Sequence, residues 1–280
     1  MSEFDLIRDF FTGLGPRRDD VALGVGDDCA LLRMPAGAEL AVSIDTLVAG
    51  VHFFPDCDPG RLGHKSLAVG LSDLAAMGAD PAWATLALTL PDEDRGWLER
   101  FGGGLAGLAR EHGVALVGGD TTRGPLSITI QVHGFVPAGA GLRRDGAAPG
   151  DLVCVSGALG DARWALGELQ AGREPPLALR TRLECPEPRV ALGRGLRGIA
   201  TAAIDLSDGL AADLGHVLTA SGVGAEVQLA NLPLSPPLAA LVPEIPDRRI
   251  ALAGGDDYEL CFTLPPSYAE DLPDLADEVE

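Results

Sequence analysis

Apolar residues follow two rhythms along this chain. The stretch ELAVSIDTLVAGVHFF (39–54) is β-rich and interrupted by Gly50, which predicts two consecutive strands. WATLALTL (83–90) and VALVGGD (114–120) predict strands, the second ending in a glycine turn, and LSITIQVHGFV (126–136) alternates as a strand with one buried face should. Helical spacing predicts a short amphipathic helix over 3–14 and a helix over 60–78 that carries Asp73 inside it. A further helix over 93–113 is weakened by three glycines.

PAGAGLRRDGAAPGD (137–151) breaks both rhythms and predicts a domain boundary. The second half opens with a strand at LVCVSG, followed by helical patterns over 161–171 and 186–199. ATAAIDLSDGLAADLGHVLTASG then reads as strand, turn and helix, with Gly222 as the helix stop. GAEVQLA and YELCFTL predict two more strands. Helices and strands mix without strict βαβ alternation, so the expected class is α+β (α/β in two domains) rather than Rossmann. The expected domains are 1–137 and 151–280, joined by a linker over 138–150. LPDLADEVE closes the chain without a final strand, which predicts a missing last segment.

Composition narrows the partners. Of 280 residues, 46% are hydrophobic, enough for a substantial core, and 41 Asp and Glu against 21 Lys and Arg give a formal charge of −20. Such a surface argues against nucleic acid and anionic membranes as primary partners. It leaves room for a phosphate ligand if divalent cations supply the positive charge. Cys29, Cys57, Cys154, Cys185 and Cys261 are odd in number and form no CxxC pair, which argues against a disulfide framework and a structural zinc site. With no basic, apolar leader and no uninterrupted apolar stretch of about 18 residues, the expected location is the cytoplasm.

Carboxylates recur at the ends of the apolar runs, usually beside Gly, Ser or Thr: VGDDC (25–29), SIDT (43–46), LSDLAAMGADP (71–81), VGGDTTRG (117–124), IDLSDG (204–209) and AGGDDYE (253–259). Taken singly, each is also ordinary turn or helix-cap chemistry. Taken together, short oxygen ligands next to glycines suit magnesium shared with substrate phosphates. Phosphate loops of other kinds fail: PGRLGHKS (59–66) lacks the glycines of a P-loop, and GVGDDC has Cys29 in the last place of GxGxxG. The five histidines are scattered. His52 stands out only for following DTLVAG, and Arg143 and Arg144 are either a solvated loop or an anion-binding arm.

In order and spacing, GVGDDCALL, SIDTLVAGVHF, LAVGLSDLAAMGADPAWATLALTLP, GGDTTRGPLSITIQVHGFVP, IDLSDGLAADLGH and GGDDYELCFT resemble the thiamine-monophosphate kinase family. That family shares a superfamily with aminoimidazole ribonucleotide synthetase and selenophosphate synthetase. The LSDLAAMGADP and GGDTTRGPL segments set it apart from those relatives. The resemblance implies a PurM-like fold whose N-terminal ATP- and magnesium-binding domain pairs across a homodimer. It implies transfer of the ATP γ-phosphoryl group to thiamine monophosphate, directly in line and without a phosphoenzyme.

Carried over by position, Asp28, Ser43, Asp45, Asp73, Asp120, Asp205 and Asp208 would bind several Mg²⁺ ions. Gly119, Asp120, Arg144 and Ser207 would contact ATP, His52 and Asp256 the thiamine substrate, and Asp120 and Asp208 would be catalytic. Two departures accompany the match. Ile44 stands where many relatives have threonine, and family chains continue some tens of residues further, carrying an aromatic on the thiamine side. Two alternatives stay open at this point: another ATP-dependent synthetase or kinase of the superfamily, and a non-catalytic magnesium- and nucleotide-binding protein.

Overall fold

An eleven-residue strand organises the first half of the molecule. In the computed structural model, which describes residues 6–242 and 248–269, β1 (Val21–Leu23) and β2 (Leu31–Leu32) form a small antiparallel pair. They precede β3 (Ala38–Val48), which pairs antiparallel with β6 (Ser127–Pro137) through an unbroken register from Ala38–Pro137 to Val48–Ser127. With β4 (Asp80–Leu90) and β5 (Ala115–Arg123), these make a four-stranded sheet in the order β3-β6-β4-β5. Only β4 and β5 run parallel.

Two strands were expected over 39–54, but only the first forms. At Gly50 the chain turns (φ +77), its N–H donates to Phe53 O at 2.8 Å, and the second half contributes a single bridge, Ala49 to Phe53. The β-rich composition there serves a turn.

Helices α1 (Pro59–Ala76) and α2 (Arg95–Glu111) cover one sheet face, on which Ile128, Ile130, Val132, Leu86 and Leu88 are buried. Asp94 caps α2 by accepting from Trp97 N–H at 3.1 Å. The glycines that weaken α2 as a helix let it pack: a Cβ on Gly104 would lie 1.8 Å from Gly60 O of α1. The two backbones meet where a side chain would hold them apart. On the opposite sheet face, Trp83 and Phe135 pack edge to face at 5.0 Å under Val21, Leu32 and Ala38. Asp20 accepts from Trp83 Nε1 at 3.0 Å and is held in turn by Arg18, whose guanidinium keeps that carboxyl below the usual range.

The expected helix over 3–14 appears as a π-helical turn, Ile7–Phe11, and its first residues lie outside those described. The end of the chain, with its expected missing strand, also lies outside them.

The chain from Ala140, together with Ala75–Ala79, forms a second unit. Its sheet, β7 (Leu152–Val155), β9 (Leu260–Leu264) and β8 (Ala202–Asp205), is antiparallel in the order β7-β9-β8. Around it lie α3 (Asp161–Gln170), α4 (Leu177–Glu184), α5 (Val190–Gly195), α6 (Leu210–Ser221), α7 (Pro236–Leu241) and α8 (Arg249–Ala253). The core gathers Leu159, Ile204, Leu206, Leu210, Leu214 and Val217. As expected, α6 stops at Gly222 in a left-handed conformation (φ 68).

Three expectations change here. GAEVQLA forms no strand; its last residues join the short 3₁₀ turn Leu229–Asn231, and its apolar residues Val227 and Leu229 pack on the core without sheet pairing. The helix expected over 186–199 shrinks to α5, because Pro186 and Pro188 remove backbone donors from its start. Helix α4 was not anticipated: its residues LALRTRLE have weak helical amphipathicity, and burial of Leu179 and Leu183 decides the matter.

Candidate active site

The acidic stretches fall into three groups, each set by a local feature of the fold. The first is on β3 and α1. Alternation along β3 turns Ser43 and Asp45 toward the helices, where Ser43 Oγ donates a short hydrogen bond to Asp73 Oδ2. Asp45 lies against the same carboxylate. Burial first, then the Asp73 charge and a hydrogen bond with it, push the Asp45 carboxyl up to about 6. Asp45 Oδ2 is buried with no hydrogen-bond partner. The same alternation turns Ile44 to the other face, 61% exposed. A threonine hydroxyl at that position would therefore not join Ser43 and Asp45 within this chain.

The second group lines a cavity of about 430 Å³ bordered by Val25, Gly26, Asp27, Asp28, Gly119 and Asp120. Asp27 and Asp28 divide their work: Asp27 Oδ1 accepts the Asp28 N–H at 2.8 Å, as a turn residue does, and leaves the Asp28 side chain to solvent. Gly119, on edge strand β5, has φ +150, and a Cβ there would lie 1.9 Å from Leu86 O. Only glycine lets this strand lie so close to β4.

These two groups are not adjacent. Asp45, Ile130, Leu86 and Gly119 stand in one cross-strand row, with Asp45 and Gly119 on opposite edges. Three strand spacings, about 14 Å, separate them. His52 is further along the chain, exposed on the turn after β3. Its Nδ1 accepts Val48 N–H at 3.0 Å, so the neutral ring carries its proton on Nε2, facing outward.

The third group belongs to the second unit. Asp205 ends β8 and is buried; Ser207 and Asp208 follow in an exposed turn. Asp213 shapes that turn by accepting from the N–H groups of Asp208 and Gly209, both at 3.0 Å. Burial is the main influence on the Asp213 carboxyl and raises it. Asp256 is laid against the same turn: its N–H donates to Ser207 O at 2.9 Å, and Tyr258 N–H donates to Leu206 O at 2.8 Å. Asp256 and Tyr258 both have left-handed backbones, φ 67 and φ 50, unusual for residues with side chains. Arg144 is placed elsewhere. Its carbonyl accepts from Ser221 Oγ at 2.9 Å, at the end of α6 remote from Ser207. A twelve-residue helix is about 18 Å long.

The oxygen donors suit magnesium. Ser43, Asp45 and Asp73 offer hard ligands, and the orphaned Asp45 oxygen and the raised Asp45 carboxyl mark charge that a cation would neutralise. Among the described residues, no three His, Cys, Asp or Glu side chains are grouped to hold a metal unaided. Such a site fits an ion completed by water and substrate phosphates.

The residues that sequence reasoning did not single out are Asp213, Asp257, Glu259, Arg182 and Arg189. Asp257 and Glu259 lay in a stretch already marked, AGGDDYE, but nothing in that string tells a side chain facing inward from one facing the turn.

The chain is similar to known proteins over most of its length. Residues 26–136 match the family described as AIR synthase related protein, N-terminal domain. The chain is 53% identical over 269 residues to the thiamine-monophosphate kinase of Escherichia coli (strain K12), covering 94% of this chain and 82% of that one. Its fold matches the crystal structure of thiamine-monophosphate kinase from Stenotrophomonas maltophilia K279a with a TM-score of 0.89 and 50% identity, over 94% of this chain and 86% of that one. A further solved structure, AaThiL complexed with AMPPCP and TMP, aligns with a TM-score of 0.78 and 34% identity, over 87% and 80% of the two chains.

Proposed function

Because the chain belongs to the thiamine-monophosphate kinase family, we propose that it transfers the γ-phosphoryl group of ATP to thiamine monophosphate. A phosphate oxygen of the acceptor attacks the γ-phosphorus in line. The bond from that phosphorus to the β–γ bridging oxygen breaks, ADP leaves, and thiamine diphosphate forms. The observation that carries this reading is the 53% identity to a thiamine-monophosphate kinase over 94% of the chain, taken with the ordered acidic stretches.

Asp28, Ser43, Asp45, Asp73, Asp120, Asp205 and Asp208 are the proposed ligands of Mg²⁺, which when bound offsets the negative charge gathered by two phosphorylated substrates. Gly119, Asp120, Arg144 and Ser207 are the proposed ATP contacts. The bare backbone at Gly119 is the kind that approaches a phosphate closely. His52 and Asp256 are the proposed contacts to the thiamine substrate, and the outward Nε2–H of His52 is available to donate. Asp120 and Asp208 are assigned the catalytic electrostatics. No strong general base is required, since a phosphate monoester is largely ionised at neutral pH, with a second pKa of about 6.

A homodimer formed through the first unit is part of this reading. Its support is the edge strand β3, which exposes Leu40, Val42 and Ile44 at 41%, 49% and 61% on one face. Five free cysteines suit a reducing compartment, the cytoplasm. The test is production of thiamine diphosphate from thiamine monophosphate, ATP and Mg²⁺ by the purified protein. Turnover abolished by EDTA is expected, and the absence of turnover overturns the reading.

A further inference from the structure

Among the described residues of the second unit, Glu259 is the most deeply buried charge, and it sits at the root of the Asp256–Tyr258 segment with its two left-handed residues. Arg189 holds its carboxylate in a two-pronged contact, Nε to Oε2 and Nη2 to Oε1, each at 2.7 Å. Arg182 donates a second, short bond to Oε1, and Ser156 Oγ a short bond to Oε2. Both Glu259 oxygens are thus fully occupied by donors from α4, from the loop before α5 and from the end of β7. Burial alone would raise this carboxyl, yet its ionised form is favoured overall because both guanidiniums surround it.

The backbone of Glu259 points the other way. Its carbonyl accepts from Leu206 N–H at 2.8 Å, continuing the ladder that Tyr258 N–H and Asp256 N–H make to Leu206 and Ser207. One residue therefore joins the arginine grip behind the segment to the turn in front of it. A left-handed backbone at two residues with side chains is unfavourable by itself and persists only where its surroundings over-determine it.

We propose that Glu259, clamped by Arg182 and Arg189, is a positioning residue that holds Asp256 against Ser207 in the geometry that receives the phosphoryl acceptor. The inference rests on the reading of Asp256 as a contact to thiamine monophosphate. Arg189 is the place to loosen the clamp, because removing the Glu259 charge takes the carboxylate from two half-buried guanidiniums at once and endangers the fold itself. Arg189→Lys keeps the charge and loses the two-pronged fit.

The test is a double-mutant cycle of Arg189→Lys and Asp256→Ala in the full-length protein, with KM for each substrate, kcat and melting temperature measured throughout. Arg189→Lys should raise KM for thiamine monophosphate about 10-fold through misplacement of the contact, while KM for ATP changes less than about 2-fold. The double variant should be no worse toward the acceptor than Asp256→Ala alone. Additive effects, or KM values for both substrates rising together with a lower melting temperature, overturn the positioning role and leave the kinase reading intact. Absence of wild-type turnover overturns both.

Discussion

Asp45 on β3 and Asp73 on α1 share one half-buried contact, and Ser43 completes it by hydrogen-bonding the Asp73 carboxylate. In the metal-free protein two acids thus meet where only one can comfortably ionise. Burial and the Asp73 charge lift the Asp45 carboxyl from its ordinary 3.8 to about 6. Between those values the folded chain binds more protons than the unfolded one, so this contribution to stability is present at low pH and lost as pH rises through about 6.

Asp73→Asn relieves the repulsion. In EDTA at pH 8 it should melt above the wild type, and the gap should shrink toward pH 4. Added Mg²⁺ should stabilise the variant less than the wild type, since the variant lacks a proposed ligand. Thermal melts with and without the ion check both statements; equal gains from Mg²⁺ would remove Asp73 from the ligand set.

Asp120 stands in the cavity that Asp28 and Gly119 also line. Asp120→Asn should reduce kcat by at least about 100-fold, the scale of one preorganised electrostatic contribution to a transition state. Steady-state kinetics at saturating ATP and acceptor give the answer, and a near-wild-type rate would take Asp120 out of the proposed catalytic pair.

Asp257 offers a second pH test away from the proposed metal ligands. Burial pushes its carboxyl up to about 7, although Gly160 N–H and the Arg182 charge act in the opposite direction. A raised carboxyl stabilises the fold fully below the ordinary carboxylate range and stops doing so as pH climbs through about 7. Asp257→Asn keeps an acceptor for Gly160 and cannot ionise. Its melting temperature relative to wild type should therefore be higher at pH 8 than at pH 5; a pH-independent difference would contradict the raised carboxyl.

The exposed face of β3 makes a prediction about assembly. Val42→Lys combined with Ile44→Lys places two charges on the apolar edge without touching the buried face of the sheet. Light scattering should find a dimer for the wild type and a monomer for the double variant. A variant that remains dimeric would place the interface elsewhere.

Much of this was legible in the sequence, and the reasons differ by element. The strand at 126–136 could be read because Ile128, Ile130 and Val132 alternate with polar residues and are buried on one face. The acidic stretches stood out because aspartate beside Gly, Ser or Thr at the end of an apolar run has few structural uses repeated six times. GAEVQLA could not: its pattern is that of a strand, but among the described residues it finds no strand to pair with, and pairing is a tertiary property. The division of Asp256, Asp257 and Glu259 among turn, buried acceptor and clamped anion was equally hidden. It depends on guanidiniums at 182 and 189, some 70 residues away along the chain.

The unbroken ladder between β3 and β6 has a consequence for how this sequence can change. Its eleven consecutive pairs contain no bulge to absorb an extra residue. Inserting or deleting one residue within β3 would exchange its two faces beyond that point: Asp45 would turn outward and Ile44 inward. One indel would thus disturb the proposed ion site and the proposed subunit contact together, whereas point substitutions reach them one at a time. Length, more than identity, is what this strand must inherit intact.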